Sequence, residues 1–227
     1  MRLILFDIDG TLLLTGHAGK RALKSALTSD AALATAFDSV RMDGKTDPLI
    51  VREVMQACGR ESECTQETVS RFLDDYVEHL RREMASCTTL VVLPGVKDLL
   101  SKLRGHHGFL LGLATGNIER GAYLKLIPAG LRDFFSFGGF GSDAEDRTEL
   151  IGIAIDRGRE LAAPRQVDAA YVIGDTPLDI EHGRAAGART IAVASGSYST
   201  EALAEYKPDL LVKSLEPVEP VLDFLEN

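Results

Sequence analysis

The 227-residue chain has no tryptophan, only three cysteines, and a deficit of positive charge. Each shortage excludes something. Cys58, Cys64 and Cys87 form an odd, sparse set without metal-ligand spacing, which argues against a disulfide scaffold or a zinc module. Free thiols in a reducing compartment, the cytoplasm, are expected. Long apolar runs are also missing. The opening run from Leu3 to Phe6 is broken by Asp7, too early for the hydrophobic region of a signal peptide or for a membrane span. Lys and Arg number 25 against 34 Asp and Glu, a formal net charge of -9. A surface of that sign repels phosphodiester backbones and anionic lipid heads, so neither nucleic acid nor a membrane is an expected partner. What is present, 45% hydrophobic and 26% charged residues, suits one large globular domain or a domain carrying an inserted module.

Two textures alternate along the chain. Short apolar runs at 3–6, 109–114, 170–173 and 190–194 end in small or acidic residues and read as strands buried on both faces. Residues 134–137 and 210–212 are weaker candidates for edge strands. Helical patterns lie between them at 95–104, 118–127, 149–161 and 179–186. Such alternation predicts right-handed crossovers and a parallel sheet covered on both sides, a three-layer α/β/α core of Rossmann-like form. Residues 15–89 break the pattern, with no convincing strand and three helical stretches. The first covers 18–27. The second starts at Asp47, read as an N-cap before Pro48, and stops before Gly59. The third is capped by Thr65 and carries Val69, Phe72, Leu73, Tyr76, Val77, Leu80 and Met84 at helical spacing. The expected partition is core at 1–14, an all-helical insertion at 15–89, and the rest of the core at 90–227.

Ligands bind at the carboxyl ends of parallel strands, so the residues just beyond each run carry the chemical argument. The first run is followed by Asp7-Ile8-Asp9-Gly10-Thr11, the second by Thr115-Gly116-Asn117, and the fourth-strand region by Gly174-Asp175-Thr176-Pro177-Leu178-Asp179. Any one of these is ordinary turn chemistry. Three in order, at separate strand ends, point to a shared site. Asp7 and Asp9 lie two apart on extended chain and face the same way. With Asp175 they gather carboxylates that repel one another unless a cation or proton intervenes, and oxygen donors of this kind suit a hard cation such as Mg2+.

These motifs resemble those of the haloacid dehalogenase superfamily, close to its phosphatase branch. The segment 7–11 is similar to the first family motif, 115–117 to the second and 174–179 to the fourth, with Gly187 after Ala185-Ala186 also in place. Residues 15–89 then occupy the position of that branch's helical cap, and Leu93-Pro94-Gly95-Val96 its return to the core. The resemblance implies a Mg2+-dependent phosphomonoester hydrolase acting on a small phosphorylated metabolite, similar to phosphoglycolate phosphatases. In that scheme Asp7 is the nucleophile and Asp9 the acid and base. Asp7, the Asp9 carbonyl and Asp175 hold the metal, with Asp179 behind them. Thr115 and the amides of Gly116 and Asn117 receive phosphate oxygens. The family's third motif normally supplies a lysine, which is absent. Arg147 fills that place best, because two acids and a phosphate dianion outweigh one Mg2+ and call for a protein cation. The competing reading is a surface arginine paired with Glu145 or Asp146.

Within the insertion, Lys45 is the best candidate for contact with a substrate anion, with Arg41 behind it; an ordinary solvated turn reads equally well. His17 falls where the chain enters the insertion. Gly138-Gly139-Phe140-Gly141 and Gly16-His17-Ala18-Gly19-Lys20 lack the form of a nucleotide-binding loop and read as flexible turns. Sugar-phosphate mutase remains open, since the same superfamily uses both aspartates for it. A non-catalytic, receiver-like phosphate-sensing module is the reading from another class. A carboxylate at Asp9 favours an oxygen leaving group that needs a proton.

Overall fold

The computed structural model describes residues 1–28 and 31–227. The chain opens with β1 (Arg2–Phe6), turns through β2 (Leu13–Leu14) and enters the inserted helices α1 (Ala18–Leu27), α2 (Ala31–Phe37), α3 (Asp47–Ala57) and α4 (Gln66–Ala85). It returns through β3 (Val91–Val92) and alternates α5 (Val96–Arg104), β4 (Phe109–Thr115), α6 (Glu119–Ala129), β5 (Phe137–Phe140) and α7 (Arg147–Ala162). The last part is β6 (Ala169–Gly174), α8 (Pro177–Ala185), β7 (Arg189–Val193), α9 (Thr200–Ala204), β8 (Leu210–Val212) and α10 (Glu219–Glu226). Six strands pair in parallel in the order β5-β4-β1-β6-β7-β8. The central position of β1 follows from its composition: Leu3, Ile4, Leu5 and Phe6 are all fully buried, so both of its faces need helices.

Register decides where the chemistry gathers. Phe6 lies opposite Leu113 on one side and Ile173 on the other, so β1, β4 and β6 end at nearly the same height. Asp7, Thr115 and Asp175 therefore leave the sheet at one edge. The inserted helices form a second core of their own around Leu23, Phe37, Val51, Phe72, Tyr76 and Leu80. The ribbon β2–β3, with Leu13 opposite Val92 and Leu14 opposite Val91, ties together the two chain crossings that lead into and out of this cap. Among the described residues no helix is long and apolar enough to cross a membrane. The three cysteines are free and half-buried.

Several local expectations need correction. The edge strand expected at 134–137 is β5 at Phe137–Phe140, and the segment read as a glycine-rich turn is that strand. Helix α7 explains the glycines: a Cβ at Gly139 would strike the Leu150 carbonyl, so the strand is stripped of side chains to let the helix approach. Helix α3 is capped by Thr46, whose hydroxyl accepts from the Leu49 amide at 3.4 Å; Asp47 is already helical and its side chain is free for another task. The short helix α2 in the cap was not expected, and neither was the ribbon.

Candidate active site

The first turn after β1 is shaped by Gly10, at φ +85, where a Cβ would strike the Asp175 carboxylate. That close approach lets Thr11 Oγ1 donate to Asp175 Oδ1 at 3.0 Å. At the end of β6, Thr176 and Asp179 cap α8 reciprocally, with the Thr176 amide and hydroxyl donating to Asp179 Oδ2 at 3.0 and 2.7 Å. Asp7, Asp175 and Asp179 are all buried, and one oxygen from each lies within 4.8 Å of the others. Burial raises the Asp7 carboxyl from 3.8 to about 6; Arg147 opposes this, while Asp179 and Asp9 add to it. Asp175 is pushed well above its ordinary value by burial first, then by Asp179 and Asp7.

Arg147, at the start of α7, is the cation within this cluster. It is buried, with Nη2 2.5 Å from Asp179 Oδ1 and 3.5 Å from Asp7 Oδ1. Nη1 donates at 2.9 Å to the carbonyl of Gly44, which belongs to the cap. Burial works against its charge, but Asp179 and Asp7 outweigh burial and hold it protonated. It is therefore not paired with Glu145 or Asp146: Asp146 caps α7, and Glu145 binds Arg52 at 2.5 Å. One guanidinium against three carboxylates leaves an excess of negative charge. Buried oxygen donors of this number and spacing fit a divalent cation.

A second polar cluster stands beside the first, and its key member was missed in the sequence. Lys125, on α6, is buried; its ammonium lies 2.6 Å from Asp9 Oδ2 and donates to Asn117 Oδ1, also at 2.6 Å. Asn117 Nδ2 donates to Asp9 Oδ2 at 2.9 Å and to Thr115 Oγ1 at 2.9 Å. The Asp9 side chain, 43% exposed to the cleft, is thus anchored through one oxygen. A signal for Lys125 existed: Gly121, Ala122, Lys125, Leu126 and Ala129 form the buried face of α6, and a lone lysine on such a stripe needs a buried partner. Asp47 closes the group, its Oδ2 accepting from the Ile118 amide at 2.8 Å. Burial raises its carboxyl to about 6, against the pull of Lys125.

Both clusters line one cleft of about 420 Å³ between core and cap. Asp7, Asp9, Gly116, Asn117, Arg147 and Asp175 share it, and Lys45 forms part of its wall. The Lys45 ammonium, however, lies 2.5 Å from Glu53, so its charge is already paired within the cap. Arg41 lies further out, donating to the Tyr198 hydroxyl at 2.8 Å over whose ring it stacks. The Asn117 amide is also engaged, donating to Thr115 Oγ1 at 3.3 Å. His17 lines the cleft mouth from the N-terminal end of α1, at φ 65.

An α/β core with an inserted helical cap, and acids converging at its strand ends, defines the class: a capped hydrolase whose generic substrates are phosphate monoesters. The chain belongs to the haloacid dehalogenase-like hydrolase family, whose model matches residues 4–193. It is 29% identical over 219 residues to a phosphoglycolate phosphatase of Caulobacter vibrioides, covering 93% of this chain and 86% of that one. It is 27% identical to phosphoglycolate phosphatase 1 of Pseudomonas aeruginosa, covering 98% and 80%. Its fold is similar to the crystal structure of a predicted phosphatase from Clostridium acetobutylicum, with a TM-score of 0.71 at 20% identity and 98% of both chains covered.

Proposed function

We propose that the protein is a Mg2+-dependent phosphatase of small phosphorylated metabolites, working through a phosphorylated Asp7. The observation that carries this is the convergence of the Asp7, Asp175 and Asp179 carboxylates within 4.8 Å, with Asp9 in the same cleft. Asp7, Asp175 and the Asp9 backbone carbonyl would hold Mg2+, supported by Asp179. Bound there, the cation supplies charge neutralisation for the attacking carboxylate and the phosphoryl oxygens.

In the first half-reaction an Asp7 oxygen attacks phosphorus, the ester P–O bond breaks, and Asp9 gives its proton to the departing oxygen. In the second, water attacks the phosphorus of the aspartyl phosphate while Asp9 takes the water proton, releasing inorganic phosphate and restoring Asp7. Lys125 and Asn117 anchor Asp9 by one oxygen, and the exposed remainder of the carboxyl faces the ester. Thr115 and the amides of Gly116 and Asn117 would receive phosphoryl oxygens, for which the Asn117 amide would leave the Thr115 hydroxyl. Arg147, between Asp7 and Asp179, supplies the protein cation that the missing lysine would have given. Lys45 would contact the far end of the substrate in competition with Glu53. The core and cap boundaries follow the same reading, with residues 15–89 acting as the lid.

The test is release of inorganic phosphate from p-nitrophenyl phosphate and from a panel of metabolite esters, with Mg2+ and with chelator. Phosphoglycolate, the substrate in the relatives' names, belongs on the panel. Mg2+-dependent release that is lost in both Asp7→Asn and Asp9→Asn is expected. No release from any ester would sink the proposal, and wild-type-like hydrolysis by either variant would remove the role given to that residue.

A further inference from the structure

Three buried polar groups beside Asp9 have bonding capacity that the reaction above does not use. The Tyr76 hydroxyl lines the cleft from cap helix α4; the residue is 1% exposed, and the hydroxyl has no hydrogen-bond partner among the described residues. Burial holds the phenol well above its ordinary pKa, with Asp47 and Asp9 adding to the effect, so it is a neutral donor and acceptor. Asp47 spends one oxygen on the Ile118 amide, and its second has no partner among the described residues. Lys125 has three N–H donors and spends two, on Asp9 and Asn117.

Gly19 keeps this corner open, and Gly121 packs at its edge. A Cβ at Gly19 would lie 3.2 Å from Lys125 Nζ and 3.8 Å from the Tyr76 hydroxyl, and one at Gly121 would lie 3.5 Å from that same hydroxyl. Gly19 itself lines the cleft. The free capacity of Tyr76 and Asp47 therefore opens onto the cleft, where a ligand group can take the place of water.

We propose that Gly19, Asp47, Tyr76 and Lys125 form a leaving-group subsite that recognises a hydroxyl on the organic part of the ester, selecting neutral polyol or sugar monophosphates over esters of hydroxy acids. The inference rests on the phosphatase reading and narrows its substrate. Asp9 meets the ester oxygen, and Lys125 Nζ is 2.6 Å from Asp9, so the recognised hydroxyl sits only a few bonds from the ester. Charge decides its chemistry. Lys125 lies between two carboxylates, bonded to Asp9 and close to Asp47, so its ammonium has no surplus positive charge to offer a substrate anion. A substrate carboxylate would meet Asp47 as a like charge, since an ionised carboxylate only accepts. A hydroxyl donates to Asp47 and accepts from Tyr76 or Lys125, satisfying both sides at once.

The experiment compares kcat/KM at pH 7.5 with saturating Mg2+ for glycerol 3-phosphate, erythrose 4-phosphate, phosphoglycolate and p-nitrophenyl phosphate. In the wild type the hydroxylated esters should exceed phosphoglycolate by about tenfold or more. Tyr76→Phe and Asp47→Asn should each lower the ratio of hydroxylated ester to p-nitrophenyl phosphate by about tenfold. Gly19→Ala, a change that a helix tolerates, should lower the same ratio by crowding the corner. A wild-type preference for phosphoglycolate, or ratios unmoved in folded variants, overturns the subsite while leaving the phosphatase reading intact. Failure to hydrolyse p-nitrophenyl phosphate as well as every metabolite ester would instead remove that reading, and the subsite with it.

Discussion

The two adjacent polar clusters that line the cleft are built from similar residues and balanced differently. Around Asp7, three buried carboxylates face a single guanidinium, and both Asp7 and Asp175 are pushed upward by burial and by their neighbours. Around Asp9, the acid is half-exposed and already held by Lys125 and Asn117. The first cluster carries an excess of negative charge that a bound cation would balance. The second is complete enough to hold one acid in place before any ligand arrives. Under the proposed mechanism the contrast would separate the tasks: attack on phosphorus where charge is in excess, proton transfer where it is anchored.

The sharpest way to break the comparison is Asp7→Asn. Turnover should fall by roughly a thousandfold or more, while the thermal midpoint holds or rises because one repelling charge has gone. Steady-state phosphate release and a melting curve check both halves, and a silent variant would remove Asp7 from the chemistry. Next is Lys125→Met, which leaves Asp9 and Asn117 without their shared donor. We expect kcat to fall about a hundredfold and KM to move less, with a stability loss of about 1–3 kcal/mol given the partial exposure of Asp9. Partial recovery in Lys125→Arg would separate anchoring from simple unfolding.

Arg147→Ala should lower kcat/KM by roughly 30-fold, and Arg147→Lys less, since a lysine keeps the charge but loses the two-pronged contact. The metal itself gives a quieter test. The folded values of about 6 for Asp7 and Asp47 lie above the ordinary 3.8, so the folded chain binds protons more tightly than the unfolded one. Their contribution to stability is full below about pH 3.8 and is lost as pH rises through about 6. Mg2+ relieves the Asp7 cluster only, so the rise in melting midpoint on adding it should be larger at pH 7.5 than at pH 5. Equal shifts at both pH values would argue against binding at these acids. The smallest effect belongs to Lys45→Ala, about threefold in KM, because Glu53 already neutralises that ammonium.

Much of the first cluster was legible in the amino-acid order because its members adjoin strand ends, where an apolar run stops abruptly at an acid. Asp7 and Asp175 announce themselves in this way, while counting charge calls for a cation and the place of the family's third motif points to Arg147. Lys125 did not, because it lies mid-helix, eight residues past Asn117, and only the burial of its helix face reveals that it points inward. Asp47 reads as a helix cap because Asp-Pro is so common there; Thr46 does that work, which frees the carboxylate for the Ile118 amide. The strand β5 was misplaced for a related reason: its glycines look like a turn until α7 is seen packing against them.

Local order alone determined the alternation of strand and helix, the helical insertion and the acids at the strand ends, since these depend on periodicity and on where apolar runs stop. Tertiary structure decided which partners those acids meet. Lys125 reaches Asp9 across 116 positions and Arg147 reaches Asp179 across 32. Such pairings depend on strand register and on how closely helices approach, and both are set by packing between distant segments.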